Sequence, residues 1–164
     1  MEGGEAMAEV FERYVEETER LLREVSVIIK KRGRDILDGF DITPPQFNAL
    51  LVLRDWPDMT MGELCQRMYL ACSTATDLID RMERNGLINR EKDAADRRVI
   101  RLKMRERGFQ IIEEVMIARK RYVQSILDKV EVLEKEKLVD SLTWLHALMT
   151  EEIRPAARGK EGRG

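Results

Sequence analysis

The feature that most constrains this chain is a change in its apolar period. Up to Arg84 the apolar residues recur at three- and four-residue spacing, the mark of helices that bury one face. Past Asn85-Gly86 that spacing is lost. Val99 to Arg105 alternates instead, with Ile100, Leu102 and Met104 on one face and Arg101, Lys103 and Arg105 on the other, which predicts a strand. Helical spacing returns after Gly108, from Phe109 through Leu127 and on to Met149. Such a chain has room for one small hairpin only, so the expected class is mainly α with a small β element.

The pieces on either side can be placed by their start and stop signals. Met7, Val10, Phe11, Tyr14, Thr18, Leu21, Leu22, Val25, Ile28 and Ile29 form one stripe on a long helix, and Gly33 and Gly39 are expected to loosen the segment beyond it. Thr43-Pro44-Pro45-Gln46 reads as a helix start: Thr43 caps, Pro44 suits the first turn and Gln46 holds the capping-box position. Phe47, Leu50, Leu51 and Leu53 then face a core, and Trp56-Pro57-Asp58 ends the helix. A short helix comes next, from about Met61 to Met68, then a tight connection, then a helix from about Ser73 to Arg84 with Ala75, Leu78, Ile79 and Met82 inward. Asn85-Gly86 stops it. Two short helices joined by a brief turn form a helix-turn-helix, and Leu87–Glu91 with Val99–Arg105 form a hairpin behind it, a wing. The expected organisation is therefore an N-terminal helix over 1–40, a winged helix-turn-helix over 41–108, and C-terminal helices with a frayed tail from Arg154 over 109–164.

Composition narrows the function. At 43% apolar and 37% charged, 164 residues suit one soluble globular protein. No apolar run approaches the ~20 residues that span a bilayer. The first residues lack the basic and apolar regions of a secretory signal, so a cytoplasmic protein with no membrane partner is expected. Cys65 and Cys72 are too few for a disulfide framework. His146 is the only histidine, and no glycine-rich phosphate loop, nucleophile set or metal cluster is visible; no enzyme, cofactor or metal is expected. The net charge is only −2, yet Arg81 to Arg107 holds ten basic residues against five acidic ones. That zone is either a phosphate footprint or a solvated charged face, and charge alone does not separate them.

Ile42-Thr43-Pro44-Pro45-Gln46-Phe47-Asn48-Ala49-Leu50 is similar to the start of the second helix in the MarR family of regulators, and Met59-Thr60-Met61-Gly62-Glu63-Leu64-Cys65 to that family's T-x-x-E-L-A helix. Thr74 to Ile88 resembles the recognition helix and its exit, Asp93-Ala94-Ala95-Asp96-Arg97-Arg98 the wing motif, and Met104-Arg105-Glu106-Arg107-Gly108 the L-T-E-K-G that leads out of it. These matches run in order from Ile42 to Gly108. Ala71 departs from the pattern where many relatives have a capping Ser, which leaves Ser73 as the expected cap; Cys72 replaces a common Pro or Lys, and Arg105 a capping Thr. The resemblance implies a winged helix-turn-helix flanked by dimerisation helices, and a homodimer that binds a palindromic operator in double-stranded DNA. It also implies a repressor, the family's majority role.

Groove geometry then nominates residues. A helix enters the major groove with its N-terminal side chains foremost. Ser73, Thr74 and Thr76 can bond bases or phosphate, or simply cap the helix. Asp77 can accept from cytosine, or serve a buried or capping role, and Arg81 suits phosphate or guanine. By resemblance, Arg98 enters the minor groove with Asp96 holding it, and Arg97 meets phosphate; the alternative is a surface ion pair. Relatives bind small aromatic or phenolic effectors, for which Phe11, Arg13, Tyr14 and Trp56 are candidates unless they serve only packing. Cys72, near a helix N-terminus, opens the alternative of a thiol-based redox-responsive regulator, while Cys65 is expected to be buried and inert. A further alternative is a helical protein-interaction module that uses the wing for contact.

Overall fold

The computed structural model describes residues 2–153, with side chains from Met7 to Glu152. Six helices and two strands appear among them: α1 Glu2–Asp38, α2 Pro44–Asp55, α3 Met61–Met68, α4 Cys72–Arg84, β1 Ile88–Lys92, β2 Ile100–Met104, α5 Glu106–Leu127 and α6 Val132–Ile153. The chain divides into two compact units, residues 1–119 and 120–164. No described helix is long and apolar enough to cross a membrane. The tail expected to fray lies outside the described residues.

In the first unit, α1 runs straight through Gly33, contrary to the expected loosening, and ends only at Asp38. One glycine costs a helix about 1 kcal/mol, and the buried Ile36 and Leu37 anchor the turn beyond it. The chain then reverses through Gly39 and Asp41, whose φ of 53° is left-handed. The Leu37 carbonyl accepts from the Phe40 and Ile42 N–H groups there, at 3.0 and 3.3 Å.

The capping box expected at Thr43 is present. Thr43 Oγ1 accepts from the Gln46 N–H, and Gln46 Oε1 accepts from the Thr43 N–H at 2.9 Å. Those bonds engage the backbone N–H and side-chain oxygen of Gln46, which is buried, as are Phe47, Ala49, Leu50 and Leu53. Thr60 and Glu63 form a second capping box at the head of α3. The connection from α3 to α4 closes on Tyr69, left-handed at φ 52°, whose N–H reaches the Cys65 and Gln66 carbonyls. α4 differs from expectation at its start. It begins at Cys72 with Ala71 as N-cap and no side-chain cap, so Ser73 lies inside the helix and does not cap it. At the other end Gly86 takes the left-handed position, φ 69°, and the Leu87 N–H bonds the Met82 carbonyl at 2.9 Å.

β1 and β2 pair antiparallel, with Ile88 opposite Met104 and Lys92 opposite Ile100. A third strand-like piece joins them: Thr60 bridges Arg101, and the Leu102 N–H donates to the Met59 carbonyl at 2.8 Å. One core gathers Leu50, Leu53, Leu64, Ile79, Met82, Ile88, Leu102, Ile112 and Val115. α4, the hairpin and the first half of α5 thus contribute to one core. Outside that core the stripe on α1 stays uncovered, with Val10, Phe11, Tyr14, Val25, Ile28 and Ile29 all exposed. In the second unit, α6 likewise exposes Leu138, Leu142, Trp144 and Leu148.

Gly108 fixes the exit from the wing. A Cβ there would lie 2.7 Å from the Leu87 carbonyl oxygen and 2.6 Å from Met104 Cγ. The backbone oxygen cannot yield without moving the start of β1. Gly108→Ala is therefore expected to destabilise the protein by about 1–3 kcal/mol, the usual range for overpacking. Urea unfolding checks this, and an unchanged midpoint would refute the close approach.

Candidate nucleic-acid interface

The exposed side of α4 carries the predicted residues together. Ser73, Thr74, Thr76, Asp77 and Arg81 all face solvent, while Ala75, Ile79 and Met82 are buried on the opposite side. Asp77 therefore has no buried role, and it sits too far along α4 to cap it. The Thr76 hydroxyl donates to the Cys72 carbonyl at 2.8 Å, so its proton is engaged while its oxygen can still accept. Because Ala71 offers no acceptor, the first N–H groups of α4 are left without a side-chain partner from the N-cap.

The wing turn is built by two aspartates. Asp93 Oδ1 accepts from the backbone N–H groups of Ala95 (2.8 Å) and Asp96 (3.0 Å). Asp96 Oδ1 accepts from the backbone N–H of Arg98 at 2.9 Å. This refines the expected role of Asp96: it holds the main chain at Arg98, not the guanidinium. The side chains of Arg97 and Arg98 are exposed and carry no ion pair among the described residues.

The basic zone now divides. Arg90 is taken up by Asp80 at 2.5 Å and Glu83 at 2.8 Å, which ties β1 to α4. Arg101 pairs with Asp93, and Lys103 with Glu91 at 3.0 Å and Asp58 at 3.6 Å. Arg81, Arg84, Lys92, Arg97, Arg98, Arg105 and Arg107 have no such partner among the described residues. The open cations thus include those on the outer side of α4 and on the wing turn, together with Lys92 at the end of β1 and Arg105 and Arg107 at the exit from the hairpin.

The remaining candidates are scattered. Phe11 and Tyr14 line an open groove of about 690 Å³ on one face of α1, with Val15, Thr18, Glu19, Leu22 and Arg23. Arg13 stacks over the Tyr14 ring at 5.6 Å. Trp56 belongs to a different cavity, lined also by Val52, Glu63, Gln66, Arg67 and Tyr69, where the Arg67 guanidinium covers its ring at 4.1 Å. Of the residues nominated for an effector, Phe11 and Tyr14 thus line one cavity and Trp56 another. Cys72 is exposed at the first residue of α4, and Cys65 is buried. The hydrogen bond with the Cys72 thiol, and then burial, push the Cys65 thiol up, which keeps it protonated. His146 is exposed on α6, and no group of three metal-ligating side chains occurs among the described residues.

Sequence reasoning missed the partners of Arg101. The Arg101 Nε donates to Asp93 Oδ2, and one terminal nitrogen donates to the Asp58 carbonyl at 2.8 Å. The alternation marks Arg101 only as outward-facing, and nothing local points to an acceptor 43 positions earlier.

Comparison with known proteins bears on family and fold. The MarR family model matches residues 42–100. The chain is 50% identical over 115 residues to the HTH-type transcriptional regulator YsmB of Bacillus subtilis, covering 70% of this chain and 79% of that one. It is 33% identical over 142 residues to the HTH-type transcriptional repressor MdtR of the same organism, covering 82% and 90%. Among solved structures, a MarR family protein from Bacillus stearothermophilus superposes with a TM-score of 0.73 at 47% identity, covering 85% of this chain and 97% of that one.

Asp93 offers a direct check of the wing turn. The Arg101 guanidinium, together with the Asp96 and Ala95 N–H groups, holds its carboxyl down at about 2. A depressed folded-state value means the stabilisation is complete above the ordinary aspartate range near pH 4 and is lost as pH falls through about 2. Carboxyl NMR titration is expected to give that low midpoint, and Arg101→Ala to move it upward. A midpoint in the ordinary range in the unaltered protein would show the turn is not held in this way.

Proposed function

The chain belongs to the MarR family of helix-turn-helix transcriptional regulators, which are not enzymes, and on that premise we propose that it is a cytoplasmic repressor. It binds a palindromic operator as a homodimer and is released by a small aromatic or phenolic effector. The observation that carries the DNA reading is the set of unpaired cations on α4 and the wing turn, beside the exposed hydroxyls of Ser73, Thr74 and Thr76. In this reading α4 lies in the major groove. Its hydroxyls and Arg81 meet base edges and phosphates, and Asp77 accepts from a cytosine amino group. Arg98 enters the minor groove, where narrow A·T-rich stretches concentrate negative potential. Arg97 meets the adjoining phosphate.

The dimer is supported by the uncovered apolar faces. Helices that pack only on their own chain do not leave Phe11, Val25, Ile28, Leu142 and Trp144 in water together. A second copy that covers them also sets two recognition helices at half-site spacing. In this reading an effector seated in the groove at Phe11 and Tyr14 biases that spacing, lowering DNA affinity by favouring the wrong arrangement. The MdtR likeness favours repression.

A second reading, a thiol-responsive regulator, has in its favour the exposed Cys72 beside Cys65 at the head of α4. Its signature is a loss of DNA binding on peroxide treatment that Cys72→Ser abolishes. A protein-interaction module would instead show no salt-dependent affinity for duplex DNA.

Selection from random duplex DNA tests the main reading. A palindromic site is expected, with Arg98→Ala binding it more weakly by about 1–3 kcal/mol while keeping the wild-type melting temperature. No enrichment, or equal affinity of the variant, contradicts the assignment. Light scattering at micromolar concentration is expected to report twice the 19.1 kDa of one chain; a monomer removes the twofold arrangement.

A further inference from the structure

We propose that Arg101 and Asp93 are positioning residues for DNA binding, tying the wing turn that carries Arg97 and Arg98 to the segment that starts α3. The proposal rests on the DNA-binding reading above. It concerns how the wing is aimed, not which groups touch DNA.

The turn from Asp93 to Val99 is closed largely upon itself. The Asp93 N–H bonds the Val99 carbonyl and the Val99 N–H bonds the Asp96 carbonyl, both at 2.9 Å. Asp93 Oδ1 gathers the Ala95 and Asp96 N–H groups, and Asp96 Oδ1 takes that of Arg98. These bonds give the turn a shape but no fixed direction relative to α4. Direction requires a link outside the turn, and the second oxygen of Asp93 supplies it by accepting from Arg101.

Arg101 is itself anchored twice. Its backbone bridges Thr60, and its guanidinium donates to the carbonyl of Asp58, a residue held in the left-handed region at φ 61°. Asp58 and Thr60 lead directly into α3, where Thr60 and Glu63 form the capping box. One planar fork thus joins the wing turn to the entrance of the helix-turn-helix. Lysine, whose three donors sit on one freely rotating nitrogen, lacks the rigid fork that holds Asp93 and the Asp58 carbonyl in one fixed geometry. Lys103 flanks the link by pairing with both Asp58 and Glu91. The Arg101 and Asp93 side chains keep 38% and 15% of their surface exposed, and partly exposed pairs add little to stability. Orientation is the larger consequence.

The experiment is a double-mutant cycle on affinity for mixed-sequence duplex DNA at low salt, using full-length wild type, Arg98→Ala, Arg101→Ala and the double variant. Amide exchange of the free proteins accompanies it. Arg98→Ala is expected to weaken wild-type binding about tenfold, but by less than about threefold once Arg101 is alanine, because a loosened turn no longer delivers the arginine. In Arg101→Ala the Ala95, Asp96, Arg98 and Val99 amides exchange faster, while the buried amides of α4 keep their protection. Arg101→Lys, which retains the charge and guards against misfolding of the alanine variant, gives intermediate exchange and partial coupling. Additive losses with unchanged exchange would make Arg101 a plain phosphate contact and overturn the positioning role. A wild type without duplex affinity overturns the DNA reading itself, and this role with it.

Discussion

Leu102 holds the wing to the body of the first unit. An isolated two-stranded hairpin is marginal in water at best, and β1 and β2 are only five residues each. The Leu102 side chain is fully buried in the same core as Ile79 and Met82 of α4, and its N–H donates to the Met59 carbonyl. One residue therefore ties the hairpin into the core to which α4 also belongs, and to the α2–α3 connection through the backbone. Burying a leucine contributes about 1.5–3 kcal/mol, enough to decide whether a short hairpin forms. Arg97 and Arg98 can be aimed only because this strand is held.

Charge is arranged on top of that packing. The cations nearest the body of the wing are matched by carboxylates: Arg90 by Asp80 and Glu83, Arg101 by Asp93, Lys103 by Glu91. Those on the turn and on the outer side of α4 are not. Paired cations attract phosphate weakly, whereas open ones release counterions when they meet it. The near-neutral total of −2 thus conceals a directed field.

Much of this is legible in the sequence. The change of period locates the hairpin to within a residue or so, Asn85-Gly86 marks the end of α4, and Thr43-Pro44-Pro45-Gln46 marks the start of α2, because each signal is local and backbone-determined. The exposed positions on α4 come directly from its helical period. Other features are not legible. Gly33 reads as a break, but burial of Ile36 and Leu37 outweighs a single glycine. Ser73 reads as a cap, but after the tight connection at Tyr69 and Leu70 the helix starts two residues too early for that. The link from Arg101 to Asp58 spans distant sequence, and no periodicity encodes it. Trp56 groups with Phe11 and Tyr14 as an aromatic, yet its place at the end of α2 puts it in another cavity.

The start of α4 connects stability to function. α2 and α3 begin on complete capping boxes, whereas α4 begins on alanine. Ala in place of Ser at an N-cap costs about 0.5–2 kcal/mol. The helix tolerates this because its remaining length is secured elsewhere: Ala75, Ile79 and Met82 are fully buried, and Gly86 with the Leu87 N–H closes the far end. Its first turn therefore begins with backbone N–H groups that no N-cap side chain takes up. In the proposed reading that turn meets the DNA, where phosphate oxygens can accept the N–H groups the protein leaves open. In that reading affinity depends on backbone geometry at Cys72–Thr74 as well as on the side chains that reach the bases.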